Sequence, residues 1–160
     1  MSTLLTTVTV AAIVGSALIG GIFFAFSNFI MKALERVPPS QGMLVMQTIN
    51  VTVLNRGFLG VFMGTALICL VLAISTIVDW RAAYSPYLLG GAVAYVGGTF
   101  FVTGLGNVPL NNKLASVNPD DQESARTWEH YLEHWTRLNT QRTGAALLAA
   151  VLFSIALVHV

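Results

Sequence analysis

The sequence predicts an all-α protein: a transmembrane, antiparallel four-helix bundle whose second and fourth helices extend on the cytoplasmic side. Hydrophobic residues make up 55% of the 160 residues and charged residues only 9%, whereas soluble domains carry roughly 25% charged residues. Four apolar stretches, at residues 1–31, 57–78, 84–106 and 143–160, reach the length of about 18 residues that suggests a spanning helix. Residues 1–160 are therefore predicted to form a single integral membrane domain.

The first two helices are defined by charge and proline. The first stretch has no charge before Lys32 and no basic segment ahead of its apolar run, so we expect an uncleaved helix and not a signal peptide. The second helix is predicted from Gln41, after Pro38 and Pro39, continuously into its span, with Gly57 as the point where it can kink. Residues at helical spacing mark its inward face: Met43, Gln47, Asn50, Leu54 and Phe58.

The third span carries small residues and a proline. We expect the helix to end or bend near Pro109, because proline lacks the backbone N–H. The amides of Asn107 and Asn111 would then lie at the same end of the bundle as Gln47. A four-residue repeat predicts close helix packing within the span: Gly90, Ala94 and Gly98.

The fourth helix is predicted to be the longest. Asn118 and Pro119, followed by two acidic residues, form a helix start signal. A helix from there to the C-terminus would be roughly 60 Å long, about twice the hydrocarbon thickness. Its inward stripe should pack against that of the second helix and consists of Trp128, Leu132, Trp135, Asn139 and Arg142, with Tyr131 and Leu138 on one flank.

Basic residues predict the orientation in the membrane. Lys32, Arg36 and Arg56 lie between the first two spans, and four more cations lie between or at the last two, whereas only Arg81 lies on the other side. The positive-inside rule therefore places both long connections in the cytoplasm and both termini outside it. The single cysteine, Cys69, excludes an internal disulfide.

Polar side chains that converge beside a bilayer need a partner or a use, since burying them unpaired is costly. We predict a binding site at the cytoplasmic end of the bundle. Amides that only pair between helices are the structural alternative. The predicted ligand-binding residues are Gln47, Asn50, Asn107, Asn111, Trp128, Tyr131 and Trp135, and the predicted catalytic residues are His134, Asn139 and Arg142.

Three ordered motifs on four spans support a resemblance. They are Gln47-x-x-Asn50, then Asn107-x-Pro109-Leu110-Asn111, then the set Trp128, Trp135, Asn139 and Arg142. Over essentially its whole length the chain resembles the anthrone-oxygenase-like family of small integral membrane proteins. Most bacterial members have no known function, and fungal members are implicated in oxidising an anthrone to an anthraquinone. The resemblance implies binding or oxidation of a polyketide-like or quinone-like aromatic molecule in a membrane, here expected to be a bacterial inner membrane.

The resemblance suggests a role for each predicted residue. An anthrone is flat and weakly acidic, and its enolate reacts directly with dioxygen. Trp128, Tyr131 and Trp135 would stack on its rings. Arg142, with Asn139, Gln47 and Asn107, would donate hydrogen bonds to the developing negative charge. His134, in preference to His130, would act as the base, since histidine titrates near neutral pH.

Other classes of function are less consistent with the sequence. His130 and His134 have the i, i+4 spacing of metal ligands, but two ligands do not make a site, so we predict no metal site there and treat haem or metal binding at this pair as the lesser alternative. No basic patch or motif indicates nucleic-acid binding. The competing hypothesis is a protein without catalysis, which binds lipid or quinone or forms structural homo-oligomers.

Overall fold

The computed structural model describes residues 1–121 and 124–159, and it confirms the all-α, four-span architecture. Within these residues the helices are α1 (Thr3–Glu35), α2 (Pro39–Thr52), α3 (Arg56–Val78), α4 (Ser85–Ala115) and α5 (Ser124–Val158). All except α2 are long and apolar enough to cross a membrane. The chain is therefore an integral membrane protein.

Close packing at glycines fixes how α4 and α5 meet. A Cβ at Gly98 would lie 2.5 Å from Ala145 Cβ, and one at Gly91 would lie 2.6 Å from the Phe153 ring. The contact moves from Gly91 to Gly98 along α4 while its partner moves back from Phe153 to Ala145 along α5. The two helices are therefore antiparallel. The predicted packing role of the small-residue repeat is confirmed, since a Cβ at Gly90 would also lie 3.3 Å from Leu152.

A break between α2 and α3 replaces the predicted continuous second helix. Asn55 has extended backbone, and its Oδ1 accepts hydrogen bonds from the N–H groups of Gly57 and Phe58, each at 3.0 Å. Asparagine caps helices in this way because its side chain replaces a missing backbone acceptor. The interruption therefore lies at Asn55 and not at Gly57.

The third helix does not end at its proline, so of the two predicted outcomes, an end or a bend, the end is wrong. It continues to Ala115 and instead widens into two π-helical segments, Ala94–Phe101 and Thr103–Asn107. A third such segment, Phe26–Ile30, lies in α1. Wide π turns are uncommon and occur often at functional sites. They change which residues of α1 and α4 face the centre of the bundle.

The fourth helix begins later than predicted. Residues 119–121 form a turn in which Asn118 Oδ1 accepts a hydrogen bond from the N–H of Asp120 at 3.3 Å, and α5 is described from Ser124. Residues 122, 123 and 160, which the predicted helix included, lie outside the described residues. The 35 residues of α5 span about 52 Å. At 33 and 31 residues, α1 and α4 also exceed the bilayer, so the extension is not limited to the second and fourth helices.

A separate apolar cluster holds the extended end of the bundle together. Met43 of α2 packs there with Trp128 and Trp135 of α5, as predicted. Two other parts of the predicted interface are wrong. Leu54 lies in the break and is 66% exposed, and Asn139 faces α1, where its Nδ2 donates to Phe23 O at 2.6 Å.

Candidate functional site

A cavity of about 600 Å³ lies where the spans meet this extended end. All five described helices contribute to its lining. Of the ten residues predicted from the sequence, five line it: Gln47, Asn50, Asn111, Trp135 and Arg142. Its volume is typical of small-molecule sites.

The side chain of Arg142 forms a cationic wall of the cavity. It is only 4% exposed. Its Nη2 donates to Asn139 Oδ1 at 2.9 Å and its Nη1 donates to Thr103 Oγ1 at 3.1 Å. Within the described residues the amides of Gln47, Asn50, Asn107 and Asn111 do not accept a hydrogen bond from it.

Asn139 positions Arg142 and ties it to α1. Its Nδ2 donates both hydrogens, to Phe23 O and to Ser27 Oγ at 2.7 Å, while its Oδ1 accepts from Arg142. This amide has no donor left for a ligand. Ser27 thus joins the polar layer, whereas Asn28 at the next position is exposed.

Unused hydrogen-bonding groups remain around this cation. Within the described residues Arg142 Nε and Trp135 Nε1 have no hydrogen-bond partner. Both atoms have almost no accessible surface, although both residues line the cavity. Among residues 1–121 and 124–159 the one salt bridge is Arg81–Asp79, on the exposed surface. A buried guanidinium without a carboxylate is uncommon, so the site favours a ligand that brings an anionic or strongly accepting oxygen.

Aromatic rings surround the cation and the cavity. The guanidinium carbon lies 4.0 Å from the Phe23 ring centre and 5.1 Å from that of Trp135, which is the geometry of cation–π contacts. Further along the cavity, Phe58 stacks on Phe62 and Phe62 on Phe100, with centroid distances of 5.8 and 5.5 Å. These three residues form the phenylalanine wall. A flat aromatic ligand would meet ring faces and edges on several sides.

The predicted stacking residues of α5 pack mainly on one another. Trp128, Tyr131 and Trp135 form a ladder with centroid distances of 5.7 and 6.0 Å. Of the three, only Trp135 lines the cavity. Trp128 instead packs against Gly42, where a Cβ would lie 3.0 Å from its ring.

The four predicted amides of α2 and α4 divide between packing and the cavity. Gln47 Nε2 donates to the carbonyl groups of Leu114 and Val117, at 2.8 and 2.9 Å. Asn107 does not line the cavity, and its Nδ2 donates to Trp135 O at 3.2 Å. Asn50 and Asn111 line the cavity and meet at the hydroxyl of Tyr131. Gln47 and Asn107 thus bond to other helices or connections, as the structural alternative predicts. Asn50 and Asn111 also border an open cavity, as the binding-site hypothesis predicts.

The structure does not bring His134 to this cavity. Its ring stacks on that of His130 with centroids 3.9 Å apart, and its Nδ1 lies 3.0 Å from His130 O. Neither residue lines the cavity, and His130 is exposed. Among the described residues no group of three or more histidine, cysteine or acidic side chains is placed to hold a metal ion.

The rim of the cavity is apolar and exposed. Met63 on α3 is 51% exposed, and Phe101 and Leu105 on α4 are 53% and 80% exposed. Exposed apolar side chains on spanning helices face lipid. These residues give the cavity an exposed apolar rim on α3 and α4.

Sequence reasoning missed Thr103 and most of the phenylalanine wall. The pair Phe58 and Phe62, four residues apart, was the available signal for one face of that wall. Thr103 reaches Arg142 from within a π-helical segment. A regular helical projection does not place a residue of such a segment correctly.

Comparison with known proteins agrees with this architecture. No curated protein and no solved structure matches the chain. A family model described as anthrone oxygenase matches residues 51–152. The matched range contains α3, α4 and most of α5, including Thr103, Trp135 and Arg142. The chain therefore belongs to the anthrone oxygenase family.

Proposed function

We propose that the chain binds a flat, weakly acidic aromatic molecule of the anthrone type in this cavity and promotes its oxidation by dioxygen. The observation that carries the proposal is Arg142: a buried guanidinium with an unpartnered Nε, at the wall of an apolar cavity. Trp135 Nε1 supplies a second unused donor. A small rotation of each side chain would turn these buried donors toward the cavity, where together they would stabilise the negative charge on the oxygen of an enolate or phenolate.

Charge stabilisation is the main contribution expected from the protein. A cation beside an acidic group favours its ionised form, so Arg142 would increase the fraction of enolate in the cavity. Asn139 and Thr103 would hold the guanidinium in place. His134 has no part in this proposal, because its ring lies on the helix surface against His130. The proton lost from the ligand would pass to water.

The reaction balances with dioxygen as the only oxidant. Loss of a C–H proton gives the enolate, whose electrons reduce dioxygen as a C–O bond forms, and one proton completes a hydroperoxide. The O–O bond then breaks and the remaining C–H proton is lost, which gives a carbonyl group and releases water. Overall, an anthrone and dioxygen become an anthraquinone and water. Arg142 and Trp135 would bind the oxyanion throughout, while the aromatic walls orient the rings.

The lipid-facing rim supports entry of the ligand from the membrane. An apolar three-ring molecule partitions into the bilayer, and the exposed apolar rim on α3 and α4 includes Met63, Phe101 and Leu105. A protein that binds such a molecule without oxidising it would use the same cavity. Turnover distinguishes these two functions, whereas binding alone does not.

The experiment compares binding and turnover in lipid nanodiscs. We expect a hydroxyanthraquinone to bind tighter than its methyl ether, which cannot form the phenolate. Arg142→Gln and Arg142→Lys should weaken hydroxyanthraquinone binding about 10-fold or more, since hydrogen bonds to charged groups contribute about 1.5–3 kcal/mol. Arg81→Gln, at an exposed arginine remote from the cavity, is the control.

Oxygen uptake and quinone formation from an anthrone test catalysis in the same samples. The proposal predicts turnover by the wild type and the Arg81→Gln variant, and little by folded Arg142 variants. Equal binding of both ligands by the wild type and by Arg142→Lys would refute the proposed role of the cation. Normal binding without turnover would leave the binding protein as the function.

A further inference from the structure

A second polar point in the cavity lies away from Arg142. Tyr131, which is only 1% exposed, donates its hydroxyl hydrogen to Asn111 Oδ1 at 2.8 Å and accepts from Asn50 Nδ2 at 3.3 Å. In this arrangement the single phenol hydrogen is donated to Asn111, and the phenol oxygen accepts from Asn50. The tyrosine thereby links α2, α4 and α5.

Each amide keeps one unused group. Within the described residues, Asn50 Oδ1 and Asn111 Nδ2 make no hydrogen bond. Both atoms retain accessible surface, and both residues line the cavity. A purely structural tie does not require a free acceptor and a free donor side by side. This pair can accept from and donate to a single hydroxyl group.

The ring of Trp135 separates the two polar points. Its centre lies 5.1 Å from the Arg142 guanidinium carbon and 6.0 Å from the Tyr131 ring centre. Between the two points the lining is apolar and includes Ile49 and Phe26.

We infer that Asn50 and Asn111 form a neutral recognition point that selects ligands carrying a second hydroxyl group at the end remote from the anionic oxygen. The inference rests on the proposed function and narrows its substrate class to aromatic molecules that carry a hydroxyl group on a terminal ring away from the anionic oxygen. Arg142 then binds the charged end, the amide pair binds the neutral end, and the phenylalanine wall contacts the rings.

Two ligands test the inference. One is an anthraquinone with a single hydroxyl group on a terminal ring, and the other has hydroxyl groups at opposite ends. The wild type should bind the second about 10-fold tighter, because a site built to bond a hydroxyl group leaves its polar atoms unpaired with the analogue that lacks it. Asn50→Leu and Asn111→Leu should bind both ligands equally.

Two further variants separate recognition from structure. Tyr131→Phe breaks the same hydrogen bonds but keeps both amides, so it should lower stability and retain the preference. Asn112→Leu changes an exposed neighbouring amide that also lines the cavity, and it should retain the preference too. If Asn50→Leu and Asn111→Leu keep the preference, or if Tyr131→Phe abolishes it, the inference is overturned while the role of Arg142 stands. If the wild type binds neither ligand, the proposed function also fails.

Discussion

Replacing Thr103 by valine tests how Arg142 is held. The change keeps the size of the side chain but removes an oxygen that accepts from Arg142 Nη1 at 3.1 Å and a hydrogen that is donated to Thr99 O at 2.7 Å. Hydrogen bonds between membrane helices average about 0.6 kcal/mol and reach about 1.7 kcal/mol. One of these bonds comes from a buried charged group, so we expect a loss of stability of about 1–2 kcal/mol.

The effect on ligand binding follows from the freed guanidinium. Without Thr103, Asn139 is the one hydrogen-bond partner of the guanidinium that remains among the described residues. Affinity for a hydroxyanthraquinone should therefore fall up to about 10-fold, which corresponds to about 1.4 kcal/mol. Thr103→Ser retains the hydroxyl group and should bind nearly as tightly as the wild type. Thr76→Val is the matched control, since Thr76 is buried and donates to Ala73 O at 2.7 Å away from the cavity.

Thermal unfolding and ligand titration in nanodiscs measure the two quantities separately. The reasoning requires that Thr103→Val and Thr76→Val both lose stability and that only the former loses affinity. Unchanged affinity in Thr103→Val, or an equal loss in Thr76→Val, would show that Thr103 does not position Arg142.

Three more predictions concern entry, packing and orientation. Met63→Trp, at the exposed apolar rim, should slow ligand association in stopped-flow measurements. Ile74→Trp, which is exposed on the same helix outside the cavity lining, is the control and should not slow it. Equal association rates in the two variants would argue against entry between α3 and α4. Gly98→Ala should destabilise the protein by about 1–3 kcal/mol through overpacking against Ala145, whereas Gly97→Ala meets no atom within 4 Å and should be neutral in thermal unfolding. Cysteine labelling in intact cells should reach both termini from outside, and a protected C-terminus would contradict this.

The spans and much of their packing were predictable from the sequence. The four spans could be predicted from hydropathy alone. Every turn of a spanning helix faces lipid or another helix, so the whole segment is mostly apolar. The repeat of Gly90 and Gly98 indicated a close contact that depends only on local spacing. Arg142 stood out because a cation inside an apolar helix has few alternatives to a functional or interfacial position.

Other features depend on information that a regular helical projection lacks. The cap at Asn55 interrupts a helix that apolar periodicity continues. The π segments of α4 rotate Thr103 toward Arg142, which regular spacing does not predict. Residues that share a stripe, such as Trp128 and Trp135, can differ in whether they face a cavity or a neighbouring side chain. A projection gives direction around the helix but not the neighbour at each depth.

The most direct test of the central claim is a structure of the protein in nanodiscs with a bound hydroxyanthraquinone. We predict that the phenolate oxygen lies about 3 Å from Arg142 Nε or Trp135 Nε1, at hydrogen-bonding distance, with the rings against the phenylalanine wall. A ligand found instead beside His130 and His134, or a cavity filled by its own side chains with no ligand density, would contradict the assignment of this cavity as the site.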